Sequence, residues 1–202
     1  LAKEVAKRLG VELVLQPIDW SAKEQELNTG KIDCIWNGFT MTPERIEALS
    51  FAGPYLQNAQ VAIVRNDSGY TKLSDLAGKV LGLQAGSSAA EAVNSMADFK
   101  KSLKNIIEFK DNLTAFMDLE IRGIDAVVMD EVVAAYSIKK DNKPFTIIEE
   151  KLTPEQYGIG FRKGDVELSS EVQKILEQMA KDGTIAKIST SWFNKDISII
   201  GK

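Results

Sequence analysis

The residues best placed for chemistry are an arginine and an aspartate, each just beyond an apolar run. Arg45 follows "IDCIWNGF" and lies in "TMTPER", where Thr42 is suited to cap a helix and Pro43 to be its first residue. That spacing puts a cation in the first helical turn, against the positive end of the helix dipole. With the Thr40 hydroxyl and the backbone N–H groups of the helix start, Arg45 forms a candidate anion site. Asp130 ends the run "IDAVVMD" and is a candidate cation site. A ligand with a carboxylate and an ammonium a few ångströms apart satisfies both, and an α-amino acid is such a ligand. A second helix start, "QAGSSAAE", adds N–H groups around Ser87 and Ser88, with Ser88 as N-cap and Glu91 completing a capping box. Each residue also has a plainer reading. Arg45 suits an ion pair with Glu44, Glu47 or another surface acid, Asp130 a cap for "EVVAAYSI", Trp20 a place in the core, and Ser88 capping alone. Only their shared placement, beyond strand ends, favours a site.

Such residues need elements to hold them, and the chain supplies strands alternating with helices. The pattern predicts helices over "LAKEVAKRLG", "SAKEQELNTG", "TPERIEAL", "SSAAEAVNSM", "LTAFMDLEIRG" and "EVVAAYSIKKD". Two more are expected in "SSEVQKILEQMAKDGTIAKISTSWF", divided at Gly183. Strands are expected over "VELVLQPI", "KIDCIWNG", "QVAIVR", "KVLGLQAG", "NIIEFK", "IDAVVMD", "PFTIIEE" and "YGIGFRKGD". Alternation of this kind argues for α/β architecture with parallel sheets. One motif occurs twice: "LNTGKID" at 27–33 and "LEIRGID" at 119–125 each lead into an apolar run. Two copies imply two similar α/β lobes. Ligands of α/β sheets bind beyond the carboxyl ends of strands. The first copy places Asn37, Gly38, Phe39 and Thr40 there, and the second places Asp130 and Glu131.

Composition narrows the chemistry. The chain has 202 residues, 44% of them apolar, enough for a packed core, and a net charge of −4. It has no histidine, which removes the commonest general base and metal ligand. Its single cysteine, Cys34, sits in an apolar run and reads as a buried, inert thiol. There is no phosphate-loop or dinucleotide-binding glycine motif. No apolar run approaches the ~18 residues of a membrane span. Lysine clusters at 100–104 and 139–143 read as solvated surface rather than a nucleic-acid face. No catalytic residue, metal or cofactor is expected.

The stretch "IDWSAKEQELNTGKIDCIWNGFTMTPERIEALSFAGPY" resembles the extracellular solute-binding proteins of amino-acid ABC transporters. "LSDLAGKVLGLQAGSSAAE", "GIDAVVMDEVVAA", "YGIGFRKGDVEL" and "MAKDGTIAKISTSWF" match further segments of that family in order. The resemblance implies a periplasmic binding protein-like fold of type II: two Rossmann-like lobes joined by two crossover strands, with a ligand cleft between them. Lobe 1 would hold residues 1–59 and 160–202, and lobe 2 residues 60–159. Glycines 158 and 160 would suit a crossover whose dihedrals change as a hinge closes. Arg45 would clamp the ligand carboxylate, with the Ser88 N–H adding to that site. Thr40, the Gly38 carbonyl and Asp130 would bind the ammonium. Trp20 would stack on the ligand side chain, Gln84 would contribute to its selection, and Asn37 would line the same strand end. The implied ligand is a free L-amino acid, polar or basic, passed to an ABC transporter permease in the membrane. The implied location is extracytoplasmic, in a periplasm or on a cell surface through a lipid anchor. Two other readings share the fold: an enzyme similar to cyclohexadienyl dehydratases, and the ligand-sensing domain of a receptor. The chain departs from the family pattern at its start. The family's first strand would precede Leu1, so a complementing N-terminal segment from the same or another chain is expected.

Overall fold

A computed structural model describes residues 1–202. The chain divides into two units, Leu1–Gln57 with Glu155–Lys202, and Asn58–Pro154. Two long strands, β2 (Ser50–Arg65) and β6 (Phe145–Phe161), belong to both. With β1 (Cys34–Thr40), β3 (Val80–Gln84), β4 (Asn105–Phe109) and β5 (Ala126–Asp130), the hydrogen-bonded strand order is β1-β6-β2-β5-β3-β4. Residues 145–161, expected as two strands, form one, because nothing between "PFTIIEE" and "YGIGF" breaks the extended backbone.

In the first unit, α1 (Ala2–Leu9) ends at Gly10, whose φ of 71° lets its N–H bond back to Ala6 and Lys7 carbonyls. A tight turn at Trp20–Ala22 leads into α2 (Lys23–Asn28), β1 (Cys34–Thr40) and α3 (Pro43–Ala48). The first core cluster joins Leu27, Ile35, Phe39 and Leu49, with Trp20, Ile32 and Phe51 packed against it. β1 pairs with β6 antiparallel: Cys34 faces Phe161, Ile35 faces Gly160, Phe39 faces Gly158 and Thr40 faces Tyr157. The register breaks between Ile35 and Phe39, a bulge of the kind that re-aims side chains beside sites. A Cβ at Gly160 would lie 2.7 Å from the Phe39 ring, and one at Gly158 2.7 Å from the Met41 sulfur. These glycines therefore serve close approach, and neither has the positive φ that would mark a special crossover conformation. The helices α8 (Val166–Lys181) and α9 (Thr184–Phe193) are divided at Gly183, at φ 77°.

The segment "VELVLQPI" does not form the expected strand. Its apolar pattern suits one, but a strand exists only where its N–H and C=O groups meet a partner. Val14 and Leu15 are each 72% exposed.

The second unit alternates strand and helix. β3 (Val80–Gln84) leads to α4 (Ser88–Ser95) and α5 (Ala97–Ser102), then β4 (Asn105–Phe109), α6 (Asn112–Glu120), β5 (Ala126–Asp130) and α7 (Glu131–Lys140). β3 runs parallel to β4 and β5. β2 pairs antiparallel with β5, from Gln60 opposite Asp130 to Val64 opposite Ala126. The sheets are thus mixed rather than all parallel, because β2 enters the second unit against the direction of its β/α repeats. Alternate residues feed two cores, as strand geometry dictates. Val61, Ile63, Val127 and Met129 join Phe116 and Leu119 of α6, while Ala62, Val64, Ala126 and Val128 join Ala89 and Val93 of α4.

Candidate functional site

In the first unit the site is built at the end of β1. Thr42 caps α3, its hydroxyl oxygen accepting from the Arg45 N–H at 3.4 Å, and Pro43 opens the helix. Arg45 is 6% exposed, while Glu44 and Glu47 lie on the surface. Its Nη1 donates to the Thr40 carbonyl at 3.0 Å. The guanidinium carbon lies 4.5 Å from the centre of the Phe39 ring and 6.0 Å from that of Trp20. A tethered nitrogen and an aromatic face together fix the plane of the cation.

Trp20 meets Phe39 edge-on at 5.8 Å, so it belongs to the rim of the core as well as to the site. Its turn is capped by Asp19, whose carboxylate accepts from the Ser21 N–H at 3.0 Å and hydroxyl at 2.7 Å. The Trp20 Nε1–H is buried and makes no hydrogen bond. Lys23, itself buried, places its ammonium 5.1 Å from the Trp20 ring. Thr40 donates its hydroxyl proton to Glu155 at 3.0 Å, so its oxygen meets any other group as an acceptor. Gly38 has φ 86°, and a Cβ there would lie 3.1 Å from the Tyr157 ring, so backbone and packing both require glycine. Asn37 is exposed on the bulge.

In the second unit the site lies at the ends of β3 and β5. Asp130 occupies the N-cap position of α7 but makes no side-chain capping bond, so the capping reading does not hold. Its Oδ1 accepts instead from Asn58 Nδ2 at 2.6 Å and Gln60 Nε2 at 3.0 Å. Ser88 is not the N-cap of α4. Gly86 turns the chain at φ 63°, and Ser87 takes the extended capping conformation, accepting from the Ala90 N–H at 3.4 Å. With the cap one residue earlier, Glu91 falls beyond the position a capping box needs. Ser88 is instead buried and accepts from Gln60 Nε2 at 3.1 Å. Gln84 donates its amide to the Lys110 carbonyl at 3.0 Å.

The first unit thus gathers Trp20, Thr40 and Arg45, and the second joins Ser88 to Asp130 through Gln60. Phe39, Lys23, Glu155, Asn58 and Gln60 were not foreseen. The signal for the two amides was present: polar residues at alternate positions of the apolar strand "NAQVAIV". The Cys34 thiol is pushed up to about 11, chiefly by burial and further by Asp33, so it carries no thiolate at neutral pH. No group of three or more carboxylate, cysteine or histidine side chains is arranged to hold a metal ion.

This arrangement sits in a chain whose residues 1–195 match the model of the bacterial extracellular solute-binding proteins, family 3. The chain belongs to that family. It is 29% identical over 199 residues to the L-cystine-binding protein TcyJ of Escherichia coli K12, covering 98% of this chain and 73% of that protein. The arginine-binding extracellular protein ArtP of Bacillus subtilis is 30% identical over 198 residues, covering 96% of this chain and 75% of ArtP. Among solved structures, the substrate-binding protein of a Streptococcus pneumoniae ABC uptake transporter with bound histidine superposes with a TM-score of 0.93. It is 33% identical over 98% of this chain and 82% of that one. Tv2483 bound to L-arginine gives a TM-score of 0.92 at 31% identity, covering 100% of this chain and 82% of that one. The family fold is therefore the type II periplasmic binding protein fold, and its named members are binding proteins of transporters. No helix of this chain is long and apolar enough to cross a membrane.

Proposed function

We propose that this chain binds one free amino acid through both half-sites and delivers it, outside the cytoplasm, to the permease of an ABC transporter. The observation that carries the reading is that each unit holds one charge, of opposite sign, in a fixed orientation. Arg45 is buried and held by Thr40 and Phe39, and Asp130 is held by two amides. Arg45 forms a bidentate pair with the ligand carboxylate, and the Ser88 end of α4 adds donors to it. Asp130 takes the ammonium, together with the Thr40 oxygen and the Gly38 carbonyl. Trp20 covers the ligand side chain, and Gln84 and Asn37 border it. A polar or basic side chain fits this rim, as in relatives that bind cystine, arginine, histidine and glutamine. Calorimetry of Arg45→Ala and Asp130→Ala tests the assignment. Each loses about 2–5 kcal/mol of binding, the range for removing one partner of a desolvated charge pair. Retained affinity in Arg45→Ala contradicts the carboxylate clamp.

A further inference from the structure

We propose that Gln60 is a positioning residue that gives Ser88 and Asp130 opposite hydrogen-bonding roles, sorting the two ends of a zwitterionic ligand. The inference rests on the amino-acid reading above and deepens it. Gln60 has no exposed surface and lies opposite Asp130 in the β2–β5 pairing. Burying a carboxamide in an apolar strand is costly, and it is the Nε2 end of Gln60 that is hydrogen-bonded here, while Oε1 accepts no hydrogen bond. Its Nε2 carries two protons and only donates. One goes to Ser88 Oγ at 3.1 Å and the other to Asp130 Oδ1 at 3.0 Å.

Each contact constrains its recipient. Ser88 Oγ accepts from Gln60, so the Ser88 proton is turned elsewhere, and the hydroxyl acts as a donor, as a ligand carboxylate requires. Asp130 Oδ1 receives two N–H donors, from Gln60 and, at 2.6 Å, from Asn58. Asn58 is oriented in turn, because its Oδ1 accepts from the Val132 N–H at 3.4 Å, in the first turn of α7. Two donors on one oxygen fix the plane of the carboxylate, and with it the direction of the second oxygen. One buried amide thus presents a donor at Ser88 and an anion at Asp130.

The test uses calorimetry with L-arginine, L-histidine and L-glutamine, each beside the analogue lacking its α-amino group. Gln60→Leu removes both donations, so Asp130 loses a donor that fixes its plane, while the Ser88 hydroxyl is no longer held to donating but still reaches a carboxylate. The amino acids then weaken about 10- to 100-fold, the scale of a charge-assisted contact, and the analogues less than about threefold. Gln60→Glu, nearly isosteric, draws the Ser88 proton to itself and sets a second carboxylate beside Asp130, so both classes weaken. Gln60→Leu acting equally on both classes, or on neither, overturns the proposal. A ligand-free measurement separates this inference from the reading beneath it. The Gln60 side-chain amide resonances shift in Asp130→Asn and in Ser88→Ala. Resonances insensitive to both variants overturn the positioning role even where amino acids bind. Wild-type protein that binds none of the three, nor L-cystine, overturns the amino-acid reading and this inference with it.

Discussion

The same helix-turn-strand motif occurs in each unit, α2 to β1 in the first and α6 to β5 in the second, and one device holds both copies. Leu27 and Leu119 are fully buried at the helix ends. Three residues on, Gly30 and Arg122 take the left-handed conformation, at φ 75° and 67°. In the first copy Arg162, just after β6, donates through Nη1 to the Leu27 and Ile32 carbonyls at 3.2 and 2.9 Å. In the second, Arg65 at the end of β2 donates through Nη1 to the Leu119 and Ile124 carbonyls at 3.0 and 2.8 Å. Matching frames carry opposite cargo: the first strand leads to the Arg45 guanidinium, the second to the Asp130 carboxylate. The frame fixes where a strand ends, and the residues after it decide which charge is offered.

The comparison breaks most readily at the two clamping arginines. Arg65 has a side chain 12% exposed, against 30% for Arg162. Arg65→Met leaves two carbonyls without that donor in the drier setting and costs about 2–3 kcal/mol, and Arg162→Met about 1–2 kcal/mol. Urea unfolding gives the totals, and amide exchange in β5 and β1 shows where each loss falls. If neither variant loses stability, the clamps are incidental and the likeness is one of shape alone.

A smaller effect sharpens a feature of the first unit. Asp182 is held down to about 2 by the Thr184 hydroxyl, by Arg8 at 2.8 Å and by the Thr184 N–H. A depressed carboxylate contributes its full stability above its unfolded pKa of about 3.9. That contribution fades as pH falls through about 2. The slope of stability against pH in that window therefore flattens in Asp182→Asn, and an unchanged slope contradicts the assignment.

Much of this was legible in the sequence, for physical reasons that differ by residue. Arg45 stood out because a cation in the first turn of a helix opposes the helix dipole, and Asp130 because it ends an apolar strand. Gly10 and Gly183 marked helix ends because few other residues adopt positive φ. Gln60 and Asn58 stayed hidden because their importance depends on register: Gln60 matters only because β2 sets it opposite Asp130. Phe39 read as core, which it is, and its second role appears only when α3 folds the Arg45 guanidinium over its ring. Ser87 and Ser88 are both good caps, and the Gly86 turn chooses between them. Residues 11–18 show the limit of periodicity, since a strand pattern says nothing about whether a partner is present.

The central claim is that one amino acid satisfies both charges. Its most direct test is calorimetric titration of wild-type protein with a panel including L-cystine, L-arginine, L-histidine and L-glutamine. Derivatives of each with the carboxylate amidated or the amine removed complete the panel. At least one amino acid binds at micromolar affinity or tighter. Either derivative of it binds about 30-fold or more weakly, the scale of a missing charge partner. Absence of binding by every amino acid tested, or equal binding of a ligand lacking either charge, contradicts the claim.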